Sequence, residues 1–287
     1  GRNVRKGDIY SAAKTEFEKL QDANEVRDRL KEMKRSALAY EKFLNPDKEG
    51  NSRVANGFRA MKELDSTVSY PLLVRLYRGW EREVYTTDEI VESLKMLESF
   101  YVRRLVCGVP TNALNKITME LCLNFPEANL VEWLKDKLSN GSSGRRWPKD
   151  DEFAEALTSR PLYPRRRIAR YMLIALEESF EHKEAVDTSS STIEHVMPQT
   201  LSDKWISVLG DEHQSIHEKW LDTLGNLTLT GYNSELGNAP FEDKKEKLQN
   251  THFELSKGIL KNDVWGVVEI EARGKEMALS ALKRWRR

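Results

Sequence analysis

The sequence predicts a mainly α protein with a small strand–strand–helix unit set into it. Three observations carry that expectation. Apolar residues recur at three-to-four spacing through most of the chain up to about residue 185. The pattern stops at "EAVDTSSSTIEH", where Thr188 to Ser191 are all hydroxyl residues. Beyond it, "LGNLTLTGYN" (224–233) alternates Leu227 and Leu229 with Thr228 and Thr230, the period of a strand.

The helices follow in order. "DIYSAAKTEFEKL" and "NEVRDRLKEMKRSALAYEKFL" open the chain, and "NSRVANGFRAMKEL" and "YPLLVRLYRGW" continue it. "TTDEIVESLKMLESFYVRRLVCG" predicts a helix with Thr87 as its N-cap and Gly108 as its stop. "TNALNKITMELCLNF" and "ANLVEWLKDKL" add two more. "SNGSSGRRWP" (139–148) is a loop by its glycine and serine content, and it lacks the GxxxxGK[ST] of a phosphate-binding loop. "PRRRIARYMLIALEESFEHK" is helical with an apolar centre. "TIEHV" is a short β-type element, and "SELGNAPFEDKKEKLQ" resumes helix. "DVWGVVEIEARGKEMALSALKRW" predicts a long final helix with Asp263 as its cap. The expected division is a helical domain over 1–187 and a second domain over 188–287.

Composition bounds the function. The chain carries 46 basic and 46 acidic residues, so bulk charge does not draw it to nucleic acid. Local patches do stand out. "RPLYPRRRIAR" (160–170) has five arginines and no acid, and the last fifteen residues hold six basic residues and one acidic. Either could track phosphates, or be a solvated helix face. No run of about 18 apolar residues predicts a membrane span, and the N-terminus has no signal-peptide pattern. The first residues lack a Met, and the chain reads as part of something longer. Cys107 and Cys122 form no CxxC pair and read as buried free thiols, which fits a reducing cytoplasm.

The residues able to do chemistry converge on the small unit. His195, one of five histidines, follows Glu194 at the end of the first strand. Asn226 opens the second strand, Asn233 begins the next helix, and Lys244 and Lys245 follow. Phosphodiester hydrolysis needs a base near neutral pH, which imidazole supplies. It also needs a divalent cation with oxygen ligands, for which Glu194 and Asn233 offer atoms. Asn226 is suited to fixing the His195 ring, and a lysine to holding a flanking phosphate. Each has a plainer reading: Glu194 a salt-bridge partner, Asn226 a turn residue, Asn233 an N-cap, Lys244 a helix-surface lysine. His213 and His217 share a helix face at zinc-ligand spacing but have no third ligand in sight, so a surface pair is expected. His182 and His252 have no companions. Trp205, Trp220, Trp265 and Trp285 are expected in the core.

"IEHVMPQ" together with "LGNLTLTGYNSELGNAPFEDK" resembles the HNH, or His-Me finger, nuclease domain of GmrSD-type restriction endonucleases, a group that includes the phosphorothioate-sensing SspE-like phage-defence proteins. "YVRRLVCGVPTNALNK", "RPLYPRRRIARYMLIALEE" and the C-terminal stretch are similar to the flanking segments of those proteins. The resemblance implies a ββα-metal unit between the helical domain and C-terminal helices, and nicking of double-stranded DNA. His195 and Asn226 would be the catalytic residues. Mg²⁺ or Mn²⁺ would sit on Glu194 and Asn233. Lys244, Lys245, Arg165, Arg166 and Arg167 would hold DNA. The family's zinc-knuckle cysteines are missing, so structural zinc is not expected. Its Asp-Gly-Gln-Gln-Arg motif is absent too, so the sensing and nucleotide functions are expected in the missing N-terminal NTP-hydrolysing half of the full-length protein, which is the expected partner. The expected role is the effector of a bacterial, cytoplasmic restriction or anti-phage system. A DNA-binding or assembly module with a vestigial motif, and an RNA-directed nuclease, are the alternatives.

Overall fold

A computed structural model describes residues 4–180 and 186–287; His182 and the end of the predicted helix through Lys183 lie outside the described residues. The fold is mainly helical, as expected, with one two-stranded sheet among the described residues. The chain forms two compact units. One comprises residues 1–101 and 110–146, the other Val102–Val109 and Trp147–Arg287. The boundary expected near residue 188 therefore lies inside the second unit.

The first unit contains α1 (Ile9–Phe17), α2 (Ala23–Leu44), α3 (Ser52–Glu63), α4 (Tyr70–Glu81), most of α5 (Thr87–Val106), α6 (Leu114–Leu123) and α7 (Leu130–Ser139). Its helix starts follow from side-chain chemistry. Asp22 accepts from the Asn24 and Glu25 amides at 2.6 and 2.9 Å, which satisfies two of the orphan donors of α2. The cap of α5 is Thr86, one residue before the expected Thr87. Its hydroxyl accepts from the Glu89 amide at 3.2 Å while Glu89 accepts from the Thr86 amide at 2.9 Å, a reciprocal box. The core is aromatic: Phe43 and Phe58 rings meet edge-on at 4.7 Å, and Tyr77 lies 5.8 Å from Phe58.

The second unit holds the sheet. Its elements are α8 (Asp150–Ser159), α9 (Arg166–Glu178), β1 (Thr192–His195), α10 (Asp203–Leu209), α11 (His213–Trp220), β2 (Leu227–Thr230), α12 (Asn233–Leu236), α13 (Phe241–Leu248), α14 (Glu254–Lys257) and α15 (Val267–Arg284). β1 and β2 are antiparallel, with Glu194 opposite Thr228 and His195 opposite Leu227. All four residues of β2 are buried, the threonines as well as the leucines between them. Ser256 explains the threonine side: its hydroxyl lies 2.9 Å from that of Thr228 and 2.8 Å from the Leu229 carbonyl.

The hydroxyl run before β1 also has a role. Arg170 on α9 donates to the carbonyls of Thr188, Ser189 and Ser191 at 2.6, 3.2 and 3.2 Å, which gathers the turn and leads the chain into β1. The expected helix after β2 is broken in two. Gly237 sits at φ 41°, which favours glycine, and Pro240 precedes α13.

The final helix starts at Val267, after Gly266, and not at Asp263; the Gly266 amide donates to Glu269 at 2.9 Å. α15 packs on α8 and on the turn before β2. At that turn a Cβ on Gly225 would meet the Ile270 carbonyl oxygen at 2.1 Å, so only glycine lets the two backbones touch. Arg273 on the same helix is buried and donates to the Gly225 and Leu227 carbonyls at 2.8 and 2.7 Å. Trp205, Trp220, Trp265 and Trp285 are buried as expected, the first three around Val196, Met197 and Phe241. Cys107 and Cys122 are buried free thiols.

Candidate functional site

Successive residues of a strand point to opposite faces, so the neighbours Glu194 and His195 enter different surroundings. His195 turns toward the segment after α11. Its Nε2 lies 3.1 Å from Asp222 Oδ1, and its ring meets Tyr163 edge-on with centroids 4.3 Å apart. The Asp222 carbonyl accepts from the amides of Leu162 and Tyr163 at 2.7 and 3.3 Å, so one residue ties together histidine, tyrosine and the start of the arginine segment. Arg166 lies over the ring of that tyrosine, 4.9 Å from its centroid.

A carboxylate only accepts, so Asp222 fixes the proton on Nε2 and leaves the lone pair on Nδ1. Burial pushes the His195 imidazole below its ordinary value, against the opposing hydrogen bond and charge of Asp222. The ring is therefore neutral at pH 7, the form a general base requires. His213 and His217, expected as a surface pair, are both half-buried on α11: His217 Nε2 is 2.8 Å from the Pro198 carbonyl, while His213 Nδ1 is 3.0 Å from that of Gly210.

Glu194 turns the other way, to α13. Lys244 Nζ donates to its Oε1 at 2.6 Å and to the His195 carbonyl at 2.7 Å. The lysine is only 1 % exposed. Burial pushes the Glu194 carboxyl up and the Lys244 ammonium down, and the charge of each partner opposes that shift.

Asn226 is buried and saturated. Its Oδ1 accepts from the Met197 amide at 2.7 Å and the Trp265 indole at 3.1 Å. Its Nδ2 donates to the Met197 and Leu221 carbonyls, both at 2.9 Å. It fixes the chain on either side of the site without touching the imidazole. Asn233 is exposed, with Nδ2 at 3.4 Å from the Ile193 carbonyl.

Residues 147–279 match the family model for GmrSD restriction endonucleases, C-terminal domain. That segment is similar to the C-terminal domain of those enzymes. The match begins at Trp147, where the compact second unit resumes, and covers a little under half of the chain. No curated protein matches the chain. The resemblance read from "IEHVMPQ" and "LGNLTLTGYN" is thus shown, and the family is one of restriction endonucleases.

Within the matched segment, several assignments change. Lys244 is not a DNA contact, because its ammonium is enclosed between Glu194 and the β1 backbone. Nor is it a surface lysine. Lys245 stays partly exposed, held by the Asn262 carbonyl and lying 3.6 Å from Asp263. Arg165, Arg166 and Arg167 are exposed; Arg165 donates to the Leu105 carbonyl. Arg273, the first cation of the basic tail, is buried, and burial pushes it down to about 10. Glu194 and Asn233 do not fit a shared hard cation as they stand, since a cation on Glu194 would compete with Lys244. Among the described residues no group of three or more His, Cys, Asp or Glu side chains is placed to hold a metal ion. The sequence reading missed Asp222 and Tyr163. Asp222 lies four positions before Asn226, a spacing that carries no strand or helix signal, and Tyr163 sat within a segment noticed for its arginines.

Proposed function

We propose that this chain is a DNA endonuclease of the HNH, ββα type, nicking double-stranded DNA as the effector of a modification-dependent restriction or anti-phage system. The single observation behind this reading is His195 at the end of β1, its Nε2 held 3.1 Å from the Asp222 carboxylate. β1, β2 and the short α12 have the order of a ββα unit, and the surrounding segment is similar to a restriction endonuclease C-terminal domain. The nuclease centre would lie in residues 188–287.

The chemistry follows from the chain's own groups. His195 Nδ1 takes a proton from water, and the water oxygen attacks phosphorus. One P–O bond to the sugar breaks, and the leaving oxygen is protonated from solvent. Asp222 stabilises the imidazolium that forms. Arg166 stands beside Tyr163, where a guanidinium can meet phosphate oxygens.

A Mg²⁺ or Mn²⁺ ion is expected from the resemblance, with Asn233 as the oxygen donor still open to it. When bound, such an ion would neutralise charge on the scissile phosphate. The N-terminal NTP-hydrolysing half expected of the full-length protein would be its partner, and the bacterial cytoplasm the setting. The Arg165–Arg167 cluster and Lys245 would hold DNA.

Supercoiled plasmid and a structured RNA, each incubated with the chain with and without Mg²⁺ or Mn²⁺ and with EDTA, test this. Conversion of plasmid to the nicked form, lost in His195→Ala and in EDTA, is the expected result. Cleavage of RNA alone would identify an RNA-directed nuclease. Plasmid binding without cutting in any ion would leave a DNA-binding module with a vestigial motif.

A further inference from the structure

We infer that Glu194 and Lys244 form a buried clamp that positions His195, in place of a metal ligand and a phosphate contact; this rests on His195 being the base. The observations are geometric. Lys244 Nζ makes two short contacts, 2.6 Å to the Glu194 carboxylate and 2.7 Å to the carbonyl of His195 itself. The second bond ends on the backbone of the residue that bears the imidazole. Both side chains are buried, so neither is free to reach a phosphate or a hydrated ion.

The sequence builds this contact deliberately in three steps. Strand alternation sends Glu194 away from the Asp222 side. The break at Gly237 ends α12 after one turn. Pro240 then starts α13, whose Phe241 is anchored 5.5 Å from the Trp265 ring and whose Lys244, one turn on, returns to β1. In the turn just before β2, Asn226 accepts the Met197 amide and donates to its carbonyl. The end of β1 is thereby held from two sides, by Lys244 at residue 195 and by Asn226 at residue 197. An uncompensated buried charge is costly, whereas removing both charges of a pair is often neutral. The pair therefore suits a fixed structural position better than an exchangeable ligand shell.

The test uses the full chain as Lys244→Met, Glu194→Gln and the double variant. Nicking is resolved into kcat and KM, DNA affinity is measured separately, and Mg²⁺ is titrated for half-maximal activity. Thermal unfolding is recorded for each. The double variant, freed of both buried charges, is expected to melt above Lys244→Met. All three are expected to lose about ten- to a hundredfold in kcat, with DNA affinity and the Mg²⁺ midpoint unchanged. If Lys244→Met fails to fold, the double variant still decides.

Wild-type kcat in the double variant would overturn the clamp. So would a raised Mg²⁺ midpoint in Glu194→Gln, which would return the carboxylate to the metal, or weakened DNA binding in a folded Lys244 variant. Absence of nicking by the wild-type chain would overturn the nuclease reading instead. The clamp would then stand or fall on the unfolding measurements: melting temperatures that simply add across the two substitutions would refute a coupled pair.

Discussion

Asp222 accepts hydrogen bonds in two directions: its carboxylate lies 3.1 Å from His195 Nε2, and its carbonyl receives the Leu162 amide at 2.7 Å. The residue that sets the tautomer of the histidine thus also sets where the arginine segment begins. Replacing Asp222 with Asn keeps the backbone contact and removes the acceptor-only carboxylate. The amide can then hold the wrong tautomer. Nicking is expected to fall about 10²- to 10⁴-fold with DNA affinity retained. Single-turnover cleavage together with a binding titration checks this, and a loss of affinity equal to the loss of rate would point to misfolding of the arginine segment.

The pH dependence follows from the same histidine. Its folded value is depressed by burial from an ordinary 6.5. The unfolded chain therefore binds a proton that the folded chain refuses. Stability is complete above the ordinary histidine range and is lost as pH falls from about 6.5 through the depressed folded value. The acid limb of kcat/KM should likewise lie below that of a free imidazole. In His195→Ala the pH slope of stability should flatten in this window. An acid limb above 6.5 in the wild type would contradict the burial argument.

Arg165, Arg166 and Arg167 are exposed, and Arg166 lies over the Tyr163 ring. Reversing all three to Glu should weaken DNA binding and flatten its salt dependence, by roughly one unit of slope for each phosphate contact removed. His195→Ala should leave that slope alone. The control reverses Lys283, Arg284, Arg286 and Arg287. Loss of affinity only in the control would move the DNA contact to the tail.

Gly225 allows the turn before β2 to touch α15, where an added Cβ would lie 2.1 Å from the Ile270 carbonyl. Both atoms are backbone-bound, so no rotamer relieves the clash. Gly225→Ala should destabilise by about 2–4 kcal/mol, in the range of severe overpacking. Chemical denaturation reads this directly. A change below about 0.5 kcal/mol, the scatter of ordinary surface substitutions, would mean the two backbones do not meet this closely.

Arg273→Met removes a buried guanidinium that serves the Gly225, Leu227 and Leu255 carbonyls. Those acceptors then lose their donor in a dry setting. The expected cost is about 3–5 kcal/mol, with no change in DNA affinity for the folded fraction. Selective loss of DNA binding at unchanged stability would return Arg273 to the basic tail.

Much of the fold was legible because its cues are local. The three-to-four periodicity placed α2, α5, α9 and α15, and alternation in Leu227–Thr230 placed β2. Boundaries moved where a cap depends on its neighbours: Thr86 captures Glu89 one residue before the expected cap, and Gly266, not Asp263, precedes α15. The site was legible in part. "IEHVMPQ" marked the histidine and the family, but nothing in the pattern distinguished a lysine facing DNA from one turned into the protein.

The sequence by itself determined which residue types lie along β1 and β2 and the resemblance of residues 147–279 to a restriction endonuclease C-terminal domain. These rest on interactions within a few positions, or on a motif read in order. Only the tertiary structure decided their partners. Asp222 reaches His195 across 27 positions and Lys244 reaches Glu194 across 50. The physical reason is that a buried charge is stable only beside a compensating one, and which charge stands there is fixed by how α11 and α13 fold back onto the strand.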